Sequence, residues 1–182
     1  MNMRIFIALD ITAEIRARLS EYMERARLLA PEARWARVEG LHVTLKFVGE
    51  ASGSRVDEMK SALASVKAPL FTIRFESVGV FPNPRGPRVL WAGVDGGDHL
   101  PHLASTIDRA LEKPGFPREN KPYHPHLTLA RTSKHPLREL QTLLADSPPQ
   151  FGTMTAREFF LYQSQPQKGG SKYIKLERFV LE

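Results

Sequence analysis

Two short segments of this 182-residue chain carry histidine and threonine at one spacing: Leu41-His42-Val43-Thr44-Leu45 and Pro125-His126-Leu127-Thr128-Leu129. With six His and nine Thr in the chain, chance supplies roughly 0.3 His-x-Thr triplets before the flanking apolar positions are required. On a strand, residues two apart share a face. Val43 and Leu45 can therefore anchor one segment in a core while His42 and Thr44 look the other way. Leu127 and Leu129 do the same for His126 and Thr128. Two such strands facing across a cleft suit in-line displacement at phosphorus. One neutral imidazole takes a proton from water, and the other, protonated, gives one to the leaving oxygen. Threonine hydroxyls hold the non-bridging oxygens, where charge accumulates. Residue types alone do not say which histidine is the acid.

Neighbouring residues extend the candidate site. Lys46 falls on the His42 face if the strand stays regular, as an electrostatic contact for an anion. Arg131 falls on the Leu127 face by simple alternation and reaches the cleft only if the strand ends or bulges at Ala130. Phe47 shares the Leu45 face and is assigned to the core, with Trp35, Phe75 and Trp91 as core or interlobe packing. Phe81 and Tyr123 lie in Pro-rich stretches, where an aromatic ring could stack on a base. Ser164 and Tyr173 are candidates for the cleft rim. His124 and His126 could instead form a metal pair, but no third ligand at a partner spacing is visible, and no metal is expected. His99, His102 and His135 read as surface residues in or beside helices.

The composition narrows the chemistry. With no cysteine, the chain has no disulfide, thiolate nucleophile, Cys-bound zinc or iron–sulfur cluster. Lys and Arg number 26 against 20 Asp and Glu, a surplus of six that fits an anionic partner as well as a solvated basic surface. The apolar run Ile5–Leu9 stops at Asp10, short of a targeting core, and no stretch approaches the roughly 18 apolar residues of a membrane span. A cytoplasmic monomer is expected. No Gly-rich phosphate loop is present, so no nucleotide cofactor is expected.

The positioning elements are read from periodicity. Strands are predicted over 3–9, 41–47, 71–80, 89–94, 126–130, 151–164 and 173–181, and helices over 12–29, 54–66, 99–111 and 137–144. The Pro-rich stretch 114–125 reads as irregular. Several strands succeed one another without a helix between them, which favours α+β with antiparallel pairing.

In these motifs the chain resembles the RNA 2′,3′-cyclic phosphodiesterase (2′-5′ RNA ligase) branch of the two-histidine (2H) phosphoesterase superfamily. The resemblance runs almost end to end. It covers Met3–Asp10, Arg34-Trp35, Leu41–Glu50, Pro87–Val94, Tyr123–Arg131, and the tail Leu161–Ser164 with Tyr173. Gln165-Pro166-Gln167 departs from the more apolar segment of many members. The resemblance implies one domain over residues 1–182: a bilobal, pseudo-twofold α+β fold of two mainly antiparallel sheets with outer helices and a central cleft. It implies hydrolysis of RNA 2′,3′-cyclic phosphate ends, or of small cyclic nucleotides, to 2′-phosphomonoesters without metal or cofactor. His42 would be the proton donor and His126 the acceptor, with Arg131 at the substrate, and reversible 2′-5′ joining would need no ATP. An RNA-end binding module without turnover and a metal-dependent phosphohydrolase are the competing readings.

Overall fold

The computed structural model describes residues 1–132, 138–145 and 147–182. Each strand pair is antiparallel. One sheet has four strands in the order β3 (His42–Ala51), β1 (Met3–Asp10), β8 (Glu158–Gln167), β9 (Gly170–Val180). The other has five: β2 (Arg34–Trp35), β6 (His126–Arg131), β5 (Val89–Asp95), β4 (Phe71–Phe81), β7 (Gln150–Ala156). The expected α+β class and two-sheet, cleft-forming design are what the chain adopts. Each histidine motif opens a strand in a different sheet.

Alternation assigns the faces. Along β1, Ile5, Ile7 and Leu9 enter the main core, whereas Phe6 and Ala8 form a smaller apolar cluster with Phe160 and Tyr162 of β8. That second face floors the cleft on the His42 side. Among the described residues, four α-helices flank the sheets: α1 (Ala13–Leu29), α2 (Gly53–Leu63), α3 (His99–Glu112) and α4 (Gln141–Ala145). Helix α1 starts where Thr12 accepts the Ile15 amide as an N-cap, which satisfies an otherwise orphaned donor. Its buried stripe of Ile15, Leu19, Tyr22, Met23 and Ala26 has the spacing of one helical face.

The helices are exchanged between the sheets. Helix α1 leaves the four-stranded sheet yet packs on β7 of the five-stranded one, with the Tyr22 and Phe151 rings edge to face at 5.5 Å. Helix α3 comes after β5 of the five-stranded sheet and packs on β3 of the other. The buried side chains of both halves accordingly join in one cluster.

Two expectations are corrected. The stretch 151–164 is not one strand: it breaks at Arg157, so that β7 closes one sheet while β8 runs through the middle of the other. Phe159 to Tyr162 are all buried because β8 has apolar material on both faces. The two-residue β2, invisible to periodicity, pairs Arg34 with Arg131 and Trp35 with Ala130. The expected helix over 137–144 is a 3₁₀ turn at Arg138–Leu140 continued by α4, and Leu137 and His135 lie outside the described residues. Among the described residues, no helix is long and apolar enough to cross a membrane.

Candidate active site

The two motif strands, β3 and β6, lie against one another at the junction of the sheets. Each histidine is the first residue of its strand, and each is held in the same way. His42 Nδ1 lies 2.7 Å from the Gly40 carbonyl, and His126 Nδ1 lies 2.7 Å from the His124 carbonyl. A carbonyl only accepts, so each Nδ1 bears the proton and donates it. Each Nε2 is thereby left as the lone-pair nitrogen of the neutral ring.

Aromatic rings pack around both imidazoles. His42 touches Phe6 at 4.8 Å and meets Tyr173 edge-on at 5.1 Å, with Tyr162 at 6.2 Å. His126 meets Phe81 edge-on at 5.1 Å, and Phe81 also packs against Trp91 and His124. Phe81 is thus the last residue of β4 and a wall beside His126, where the sequence placed it in a loop.

This packing sets the electrostatics. Burial pushes the pKa of His42 below its ordinary 6.5; the Gly40 carbonyl and the Asp10 carboxylate pull back upward, and Arg16 and His126 press it down. Burial also lowers the pKa of His126; the His124 carbonyl opposes this, while the charges of His124 and Arg131 add to it. Both shifts favour the neutral ring. Their charged surroundings differ: Asp10 favours and Arg16 disfavours imidazolium at His42, whereas Arg131 disfavours it at His126.

Asp10 is itself tightly held. Burial alone would raise its pKa, but a 2.6 Å bond from Lys175, the Ile11 amide and the Arg16 guanidinium keep it below the usual carboxylate range. Arg16 also donates to the Val38 and Leu41 carbonyls, so one side chain braces the turn that carries Gly40.

A matched bulge redirects the side chains just beyond each motif. Ala8 pairs with Thr44 but Ile7 with Lys46, leaving Leu45 as an extra residue. Trp91 pairs with Thr128 but Leu90 with Ala130, leaving Leu129 extra. In both strands the fourth residue after histidine turns inward and the fifth returns to the histidine face. Arg131 consequently reaches Thr128, its Nη2 donating to Oγ1 at 3.4 Å.

The same bulge overturns the assignment of Lys46 to the cleft. Lys46 is only 8% exposed, and its Nζ donates to Asp108 of α3 at 2.5 Å and to the Pro117 carbonyl at 2.9 Å. It overturns Phe47 too: the ring is 63% exposed and 6.1 Å from Phe6, on the His42 side, not in the core. The sequence did carry the signal, since Leu45-Lys46-Phe47 aligns with Leu129-Ala130-Arg131, and Ala130 marks an inward position.

Tyr123 is not a free stacking platform. It is largely buried, burial pushes its pKa upward, and its hydroxyl donates to the Thr44 carbonyl at 2.9 Å. It ties the segment entering the second motif to the strand of the first. Ser164 continues the Tyr162 face of β8 but lies outside the lining of the cavity beside His42, whereas Tyr173 and Tyr162 belong to that lining. Trp35 and Trp91 are half-buried and Phe75 is fully buried. Among the described residues no three of His, Asp and Glu converge as metal ligands, and the His124 and His126 ring centres stand 6.2 Å apart.

A family model described as LigT like Phosphoesterase matches residues 9–91 and 94–173. The chain belongs to this family. Among LigT-like phosphoesterases, it is 33% identical over 177 residues to an RNA 2′,3′-cyclic phosphodiesterase of Archaeoglobus fulgidus, covering 97% of this chain and 99% of that relative. It is 31% identical over 181 residues to the Escherichia coli protein of the same name, covering 98% and 96%. The crystal structure of E. coli LigT complexed with 3′-AMP superposes with a TM-score of 0.82 at 30% identity, over 100% of this chain and 99% of that one. The LigT-like fold is therefore shared along the whole chain.

Proposed function

We propose that this LigT-like phosphoesterase hydrolyses RNA 2′,3′-cyclic phosphate ends to 2′-phosphomonoesters by acid–base catalysis between its two motif histidines. One observation carries the reading: two imidazoles on the neighbouring strands β3 and β6, close enough for the charge of one to act on the other, each fixed through Nδ1 to the carbonyl two residues earlier with Nε2 left for proton transfer. The names of the relatives support the substrate class.

His126, whose neighbour Arg131 disfavours the charged ring, takes a proton from water as the water oxygen attacks phosphorus. The P–O3′ bond breaks, and His42, whose imidazolium is favoured by Asp10, protonates O3′. Thr44 and Thr128 donate to the non-bridging oxygens, and Arg131, already at Thr128, neutralises the charge gathering there. Substrate brings its own anion, which raises the proton affinity of both rings on binding. Exchange with solvent then restores the starting protonation states. A 5′-hydroxyl in place of water would give a 2′-5′ linkage through the same steps.

The test is an end-group assay on a short RNA bearing a 2′,3′-cyclic phosphate, run in EDTA. The expected product is the 2′-monophosphate. The 3′-monophosphate, or no turnover, would overturn the assignment. The pH dependence supplies a second check, because kcat/KM reports the free enzyme. It should be bell-shaped: the acid limb is protonation of the base and the alkaline limb is loss of the acid's proton. Both pKa values are shifted below 6.5, so the optimum should lie on the acid side of neutrality. A maximum at pH 8 would contradict it.

Phe47 completes the reading. Its exposed ring and that of His42 both neighbour Phe6, at 6.1 and 4.8 Å, which suits a terminal base stacked on Phe47 with its phosphate at His42. Stacking on an aromatic ring contributes about 1–3 kcal/mol. Phe47→Ala should therefore raise KM for a cyclic nucleotide at least fivefold with kcat nearly unchanged. An unchanged KM would return Phe47 to bystander status.

A further inference from the structure

Beside His42 the cleft opens into a cavity of about 950 Å³, near the upper end of the roughly 300–1,000 Å³ typical of small-ligand sites. Acid–base chemistry uses only its inner edge. Its outer wall is Arg37, Lys172, Tyr173 and Lys175, drawn from the turn before β3 and from the β8–β9 hairpin. These parts are tied together, since Arg37 donates to the Lys168 carbonyl at the hairpin tip at 3.1 Å.

The charges are not self-cancelling. Of the two acidic lining residues, Asp10 is engaged by Arg16 and Lys175, and Glu39 is the other. Lys172 is exposed and has no acidic partner among the described residues, and Arg37 spends one N–H on a carbonyl and keeps its charge. Tyr173 is 36% exposed and stands edge-on to both Phe6 and His42. A basic wall beside an accessible aromatic ring is the chemistry that holds single-stranded nucleic acid.

Position separates this cavity from the place assigned to the terminal base. On the β3 side the cavity is lined by Arg37 and by Glu39, Gly40, Leu41 and His42, at the start of the motif strand. Phe47 lies five residues beyond His42, at the other end. A nucleotide with its phosphate at His42 and its base toward Phe47 leaves the cavity for whatever precedes it in the chain.

We infer that this cavity holds the nucleotide immediately 5′ of the cyclic-phosphate end, with Arg37 and Lys172 on the connecting phosphodiester and Tyr173 against the sugar or base. The inference rests on the phosphodiesterase reading above and deepens it. The enzyme is then built for oligonucleotide ends, with cyclic mononucleotides filling only half of the site.

The experiment compares a 2′,3′-cyclic mononucleotide with a trinucleotide ending in the same cyclic nucleotide, in wild type and in the Arg37→Ala/Lys172→Ala double variant. Wild type should prefer the trinucleotide about tenfold or more in kcat/KM. The double variant should lose about tenfold of that preference, through KM and not kcat. Its kcat/KM on the trinucleotide should also depend less steeply on salt, by about 0.7 in log–log slope for each phosphate contact removed. Equal kcat/KM on the two substrates in wild type would overturn the inference. So would equal losses on both in the variant, which would put the terminal nucleoside in the cavity. A wild type that turns over neither substrate removes the phosphodiesterase reading itself, and this inference with it.

Discussion

His42→Ala and His126→Ala should each lower kcat on a 2′,3′-cyclic phosphate about a thousandfold, with KM within a few-fold of wild type. General acid–base assistance contributes roughly 10²–10⁴ per group, which is about 3–5 kcal/mol of barrier. Both rings are seated among aromatics and fixed at Nδ1, so removing one leaves the proposed phosphate contacts of the Thr hydroxyls and Arg131 in place. In the proposed mechanism acid and base act in one concerted displacement, so the double variant should be little slower than the worse single one. The exposed His102 is the control, and its Ala variant should keep full activity. Either motif variant retaining more than a tenth of wild-type kcat would sink the two-histidine mechanism.

The second large effect is on stability. The Lys46 and Asp108 side chains are 6% and 13% exposed, and Asp108 also accepts the Glu119 amide at 3.2 Å. Deleting one partner of such a pair leaves a buried charge without compensation and costs about 3–5 kcal/mol, whereas replacing both with apolar residues is close to neutral. Asp108→Ala should therefore lose about 3–5 kcal/mol in urea unfolding, a large share of the 5–15 kcal/mol typical of a domain. Lys46→Met/Asp108→Leu should recover much of that loss. If Lys46 instead served substrate, Lys46→Met would depress kcat/KM on a cyclic nucleotide with little change in unfolding midpoint. The placement of Lys46 predicts the reverse.

These two cases mark where alternation along a strand holds and where it fails. The His-x-Thr spacing needs only the two-residue repeat of a strand, and β3 and β6 keep that repeat through Thr44 and Thr128. One residue later both strands bulge. Just beyond the bulge alternation puts side chains on the wrong face: Lys46 was expected in the cleft and Phe47 in the core, while Arg131 was expected to reach the cleft only if its strand ended or bulged at Ala130, and the bulge falls at Leu129. A bulge depends on the partner strand's register, which no single strand encodes. The break at Arg157 was hidden for a similar reason. Residues 151–164 have strand character throughout, and only the pairings of β7 with β4 and of β8 with β1 show that the chain changes sheets. Tyr123 and Arg16 act through backbone carbonyls far along the chain, which leave no pattern in composition.

The exchange of α1 and α3 between the sheets bears on how the molecule can move. In a two-lobed protein joined by a linker, each lobe carries its own core, and the cleft can shut by rotation about a hinge. Here each half lends a helix to the other, so swinging the halves apart would expose buried side chains on both sides at once. The gap between the histidines is consequently set when the chain folds, before any RNA arrives. Adaptation to different ends is left to the rim, above all to the β8–β9 hairpin that Arg37 braces. The slow protons in hydrogen exchange should accordingly form one set spanning both sheets, released together in global unfolding.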